Sequence, residues 1–272
     1  MLASTDSCAD SARSPAPRCP LLDACKLSKQ YGTSRVVEDI SLTLYRGETL
    51  GLVGESGSGK STVARMLLRL IEPSSGEVFY RGTSLLALSP RELRRIRRRM
   101  QIVFQDPFAA LNPRMRVRDI LAEPFAIHRE RPHEGLPARL EALLHEVGLD
   151  SSAFLRYPHE FSGGQRQRIN IARALALKPE FLVLDEPVSA LDVSVGAQVI
   201  NLLQTLQRTH GLTYLFISHS MPLVRYLCDR VAVMERGRLV ETGDVLDVCE
   251  HPRQPYTRRL IEATPDLPSA SN

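Results

Sequence analysis

The stretch Gly54-Glu55-Ser56-Gly57-Ser58-Gly59-Lys60-Ser61 constrains this chain most, because it fits G-x-x-x-x-G-K-[ST] between a strand pattern and a helix pattern. Its glycines let consecutive backbone N–H groups turn inward and form a concave anion site. Glu48 to Val53 reads as a short buried strand, and Thr62 to Ile71 carries apolar residues at helical spacing. An anion held there sits on a helix N-terminus, where unpaired amides and the macrodipole favour negative charge. The expected roles are a phosphate cradle running from Gly54 to Thr62, with Lys60 on the terminal phosphates and Ser61 on Mg2+.

Two later segments fit the same chemistry. Phe181 to Leu184 is a continuous apolar run, as for a strand buried on both faces of a parallel sheet, and it ends in Asp185-Glu186-Pro187. Charges at that end point into the crevice where such sheets bind ligands. Asp185 is suited to hold Mg2+ through water, and Glu186 to accept a proton from an attacking water. Ahead of that strand, Ser162 reads as a helix N-cap, and Gly163-Gly164 leave the first amides of a helix from Gln165 to Leu177 open to a ligand. Ser162-Gly163-Gly164-Gln165 alone is an ordinary cap. Its place before the acidic strand gives it weight.

GESGSGKST, SGGQ and LVLDEP, in that order, resemble the ATP-binding subunits of ABC transporters across residues 21–265. The resemblance implies further roles. Tyr31 in LSKQYG stands where an aromatic stacks on adenine. Gln105, after the strand Gln101 to Phe104, stands where a glutamine joins the metal site and reports the nucleotide state to membrane subunits. Ser189-Ala190-Leu191-Asp192 resembles the loop that crosses between paired subunits. His219, closing the strand Thr213 to Ser218, resembles the switch histidine on the terminal phosphate. Ser220 follows it, where an acidic residue is common. In such proteins two subunits join head to tail, with ATP between the phosphate loop of one and SGGQ of the other. Glu186, His219 and Gln105 then surround the attacking water.

The run Phe104 to Pro113 (FQDPFAALNP), with Glu123-Pro124 after it, resembles the ATPases of peptide and nickel importers. So does the tail His251-Pro252, Pro255-Tyr256-Thr257-Arg258 and Ala263-Thr264-Pro265. Within that branch the chain looks most like the second of two non-identical ATPases. The implied partners are a second ATPase subunit, two transmembrane permease subunits and, indirectly, an extracytoplasmic solute-binding protein. The implied cargo is an oligopeptide or dipeptide, with nickel or another solute as the alternative. A P-loop kinase or GTPase leaves SGGQ unexplained, and no Asn-Lys-x-Asp guanine motif is present. A non-transport ABC ATPase acting on nucleic acid or ribosomes usually carries two cassettes, coiled coils or zinc modules, and none is visible. The net charge of +4 is mild, so no nucleic-acid partner is expected.

These anchors give an α/β fold of the P-loop NTPase kind, with a mainly parallel sheet, an antiparallel β edge and an inserted α-helical subdomain. The edge comes from residues 21–45, read as two strands turning at Gly32-Thr33-Ser34, and from Glu77 to Tyr80 after Ser74-Ser75-Gly76. The subdomain covers residues 113–177, where Leu140, Leu143, Leu144 and Val147 make an apolar stripe. Residues 193–250 return to alternating helix and strand, with a hairpin turn at Glu235-Arg236-Gly237-Arg238. Arg91 to Arg99 reads first as the solvated face of a helix, ahead of a contact with anionic lipid or a partner. Residues 1–20 are rich in Ser, Ala and Pro without an apolar h-region, so they read as a disordered leader; 21–250 form the ATPase domain and 251–272 the tail. No run approaches the roughly 18 apolar residues of a spanning helix, which assigns membrane passage to other subunits. Cys8, Cys19, Cys25, Cys228 and Cys249 are scattered, lack metal-ligand spacing and suit a reducing cytosol. The expected location is peripheral, on the cytoplasmic face of a bacterial inner membrane.

Overall fold

A computed structural model describes residues 19–263. Most of the expected leader, Cys8, and the end of the tail with Thr264 and Pro265 lie outside the described residues. Two long strands come first, β1 (Pro20–Tyr31) and β2 (Ser34–Tyr45), joined at Gly32 and Thr33. β3 (Thr49–Val53) is buried at every position and runs through the phosphate loop into α1 (Lys60–Leu67). Next come β4 (Ser75–Tyr80), β5 (Thr83–Ser84), α2 (Pro90–Arg97) and β6 (Met100–Val103). A helical stretch comes after β6, with α3 (Pro107–Ala110), α4 (Val117–His128), α5 (Leu136–Glu146), two 3-10 turns and α6 (Gly163–Leu175). Alternation then resumes through β7 (Phe181–Asp185), α7 (Val193–His210), β8 (Thr213–Ser218), α8 (Met221–Leu227) and β9 (Arg230–Glu235). β10 (Arg238–Asp244), α9 (Val245–Glu250) and α10 (Pro255–Glu262) complete the described chain.

The strands form two sheets. One has six strands in the order β10-β9-β3-β8-β7-β6, parallel from β9 to β6, with β10 antiparallel at its edge. The other is antiparallel, in the order β2-β1-β4-β5. The antiparallel edge expected from the sequence is thus divided. β10 alone edges the parallel sheet, while the N-terminal strands pair among themselves. Their apolar faces, including Leu22, Leu27, Ile40 and Leu44, pack toward α1 and one face of the large sheet, where they are fully buried.

Strand periodicity divides the core. Along β7, Leu182 and Leu184 point into one apolar cluster and Phe181 and Val183 into the other. Along β8 the same split separates Tyr214 and Phe216 from Leu215 and Ile217. The first cluster takes in the helical stretch, and the stripe Leu140, Leu143, Leu144 and Val147 is buried there beside Ile169 and Ala172. The second holds α1 through Val63, Ala64, Met66 and Leu67. A sheet covered on both faces explains why its central strands read as unbroken apolar runs. Each fully buried Leu, Ile, Val or Phe contributes about 1.5–3 kcal/mol to holding that arrangement.

Candidate active site

The phosphate loop leaves β3 against the end of β9. Gly54 has φ of 152°, and a Cβ placed there would lie 2.1 Å from the carbonyl oxygen of Met234, so only glycine permits this approach. The β9–β10 hairpin turns on Arg236 and Gly237, both at positive φ, as a two-residue turn of this hand requires. Gly237 N–H donates to the Ser58 carbonyl at 3.0 Å, which ties the hairpin to the loop.

Inside the loop, Lys60 is only 5% exposed. Its Nζ donates to the carbonyls of Gly54 at 2.7 Å and Glu55 at 2.8 Å. Burial pulls its ammonium pKa down, while the charges of Glu186, Asp185 and Glu55 oppose that shift. The two carbonyl contacts hold the Lys60 amino group inside the loop. Gly59, the N-cap of α1, makes no side-chain cap, so the first amides of the helix remain available.

Ser61 Oγ donates to Asp185 Oδ1 at 3.0 Å and joins the loop to the end of β7, two strands away from β3. Burial pushes the Asp185 carboxyl up; the Ser61 hydrogen bond opposes this and the Glu186 charge adds to it. Glu186 follows with φ of 46°, a left-handed conformation that costs a non-glycine residue roughly 1–3 kcal/mol. Its N–H donates to the Ile217 carbonyl, and its own carbonyl accepts from the Ser189 N–H and hydroxyl. These bonds hold the turn. The carboxylate is then met from two sides, with Gln105 Nε2 donating to Oε2 at 3.1 Å and His219 Nδ1 3.4 Å from Oε1.

The resulting cavity has a volume of about 880 Å³, within the usual range for small-ligand sites. Glu55, Ser56, Gly57 and Gly59 to Thr62 line it, together with Gln105, Glu186, His219 and Ser220. Ser220 directs its N–H to Ser218 Oγ at 3.0 Å and occupies the N-cap position of α8 without a side-chain cap. Tyr31 lies outside this lining, at the end of β1, 51% exposed, with Lys29 Nζ 5.0 Å from its ring centroid. Val36 of β2 and Leu260 and Ala263 of the tail line the cavity instead, and no motif in the sequence marks them as site residues.

Ser162, Gly163, Gly164 and Gln165 also lie outside the cavity of their own chain. Ser162 Oγ accepts from the Gln165 N–H at 3.3 Å, and Gln165 Oε1 accepts from the Ser162 N–H at 3.1 Å, forming a capping box. A Cβ at Gly164 would lie 2.2 Å from Val195 Cγ1, and one at Gly163 would lie 3.2 Å from Leu191 Cδ2. The glycines thus bring the start of α6 against the segment Ser189 to Asp192 and the first turn of α7. Asp192 caps that turn by accepting from the Val195 N–H at 2.9 Å.

A phosphate loop leading out of a parallel sheet, facing an acidic pair at the end of a strand two places away, defines a P-loop nucleotide hydrolase. Residues 37–189 match the ABC transporter family, and the chain belongs to that family. It is 51% identical over 250 residues to a putative peptide import ATP-binding protein of Brucella ovis, covering 90% of this chain and 79% of that one. It is 52% identical over 236 residues to the oligopeptide transport ATP-binding protein OppF of Bacillus subtilis, covering 86% and 77%. Among solved structures, the ATP-binding cassette MJ0796, a post-hydrolysis dimer bound to ADP and phosphate, superposes with a TM-score of 0.74. The two are 27% identical, with 82% of this chain and 98% of that one covered. The protein is therefore an ATP-binding, ATP-hydrolysing transporter subunit that works with membrane permease partners. Among the described residues, no helix is long and apolar enough to cross a membrane.

Proposed function

We propose that this chain hydrolyses ATP to drive the import of oligopeptides or dipeptides, paired head to tail with a second, non-identical ATPase. Two transmembrane permeases and an extracytoplasmic solute-binding protein complete the assembly, with this subunit on the cytoplasmic face of a bacterial inner membrane. The observation that carries the cargo reading is identity of about half, across nine-tenths of the chain, to a relative named for peptide import.

ATP phosphates would rest on the amides at the start of α1, which Gly59 leaves without a side-chain cap, with Lys60 beside the terminal groups. Ser61 Oγ and Asp185 Oδ1, already 3.0 Å apart, are the hard oxygen donors that Mg2+ takes, so the residues fit that ion. Ser61 and Asp185 would hold it with Gln105, and bound there it would neutralise phosphate charge. Glu186 would accept the proton of the attacking water, with Gln105 and His219 orienting its carboxylate through the contacts already in place. Ser162 to Gln165, outside the cavity of their own chain, would complete the partner's site, and Ser189 to Asp192 would cross the pair. Uptake of a radiolabelled oligopeptide by cells lacking the chain tests the cargo. Loss restored by wild type but not by Glu186→Gln is expected. Intact peptide uptake with lost nickel uptake would overturn it.

A further inference from the structure

The segment Pro255-Tyr256-Thr257-Arg258 plays no part in the hydrolytic chemistry, yet it reaches the phosphate loop. Tyr256 Oη accepts the Glu55 N–H at 3.0 Å, from a residue 201 positions away. The contact is built in from both ends. Just ahead of α10, the N–H groups of Arg253 and Gln254 donate to the Glu241 carboxylate at 2.9 and 3.1 Å, pinning the helix entry to β10. Tyr256 is 7% exposed and Thr257 fully buried, which fixes the first turn of α10.

Helical geometry carries this anchoring along the tail. Tyr256, Leu260 and Ala263 are spaced i, i+4, i+7 and share one face. The first touches the loop, and the other two line the nucleotide cavity. Glu55 is held through both of its backbone groups, because its carbonyl accepts Lys60 Nζ at 2.8 Å while its N–H meets Tyr256. A shift of Glu55 is a shift of one of the two carbonyls that place the Lys60 ammonium.

We infer that Tyr256 is a positioning residue of the nucleotide site, fixing Glu55 and through it Lys60, and that α10 is a wall of the cavity. A tail that merely packs on the surface would contribute stability and leave nucleotide affinity alone. This inference rests on the ATP-hydrolysing role, and the test separates the two.

The test uses the full-length chain, with mant-ATP affinity, the KM and kcat of ATP hydrolysis and the thermal midpoint measured in parallel. Tyr256→Phe keeps the ring and removes only the hydroxyl. Affinity and KM should weaken by about 3- to 10-fold, the weight of one such hydrogen bond, with kcat within about twofold of wild type. Arg258→Ala perturbs the same helix, removing a contact to the Pro252 carbonyl, and should leave affinity unchanged. Equal affinity for wild type and Tyr256→Phe would overturn the inference, as would equal weakening by Arg258→Ala. A wild type that binds no ATP would overturn the nucleotide reading itself, and the inference with it.

Discussion

The starts of α1 and α6 use similar residues and leave their donors in different states. At α1, Gly59 offers no side chain, the amides stay open, and a buried ammonium sits beside them. At α6, Ser162 and Gln165 satisfy each other, and Gly164 is pressed against Val195. A helix start becomes an anion site through donors left unpaired inside a cavity, and only α1 has both. A nucleotide brought to α6 by a partner must compete with a cap worth about 1 kcal/mol, a modest barrier beside several charge-assisted contacts.

The largest effect should separate chemistry from either helix start. Glu186→Gln should retain ATP binding and lower turnover by about 10² to 10⁴, the usual weight of a general base, in a steady-state hydrolysis assay. Near-normal turnover would remove Glu186 from the catalytic role. A smaller effect sharpens the reading of α6. Gly164→Ala should destabilise the chain by about 1–3 kcal/mol in urea unfolding, because the added methyl meets Val195 Cγ1. Adding Val195→Ala should recover most of that loss. Failure to recover would place the clash elsewhere.

The smallest effect concerns the α1 side. The folded state raises the Asp185 pKa above its ordinary value of 3.8, so folding favours the neutral carboxyl. The carboxylate's cost is therefore present above the raised pKa and absent below the ordinary one. Asp185→Asn should raise the thermal midpoint by about 1–3 °C at pH 7.5 while turnover falls, with the gain shrinking as pH drops through the raised pKa. A gain that grows on acidification would contradict the assignment.

Local pattern carried much of this molecule. β3, β7 and β8 were legible because strands buried on both faces are unbroken apolar runs, and Lys60, Ser61, Asp185 and Glu186 sit at fixed offsets from their ends. The separate N-terminal sheet was not legible, since alternation in β1 and β2 marks strands without naming their partners. Tyr31, expected at the base, lies outside the cavity lining, and β2 supplies Val36. The Tyr256 contact with Glu55 spans 201 positions and leaves no periodic trace in the sequence, although the tail motif marked its location. The capping box at α6 could have been read, because a serine followed three residues later by glutamine is its signature.

We propose that α1 binds the chain's own nucleotide while α6 serves the partner's. Measuring mant-ATP affinity and ATP turnover together for Lys60→Ala and Ser162→Arg tests it directly, since Ser162 is exposed and the substitution removes only a helix cap of about 1 kcal/mol from its own chain. Lys60→Ala should weaken binding by at least about 100-fold. Ser162→Arg should bind within about threefold of wild type, yet lose about 100-fold or more in turnover by the paired assembly. Parallel loss of binding and turnover in Ser162→Arg would contradict the account and return that motif to a plain helix cap.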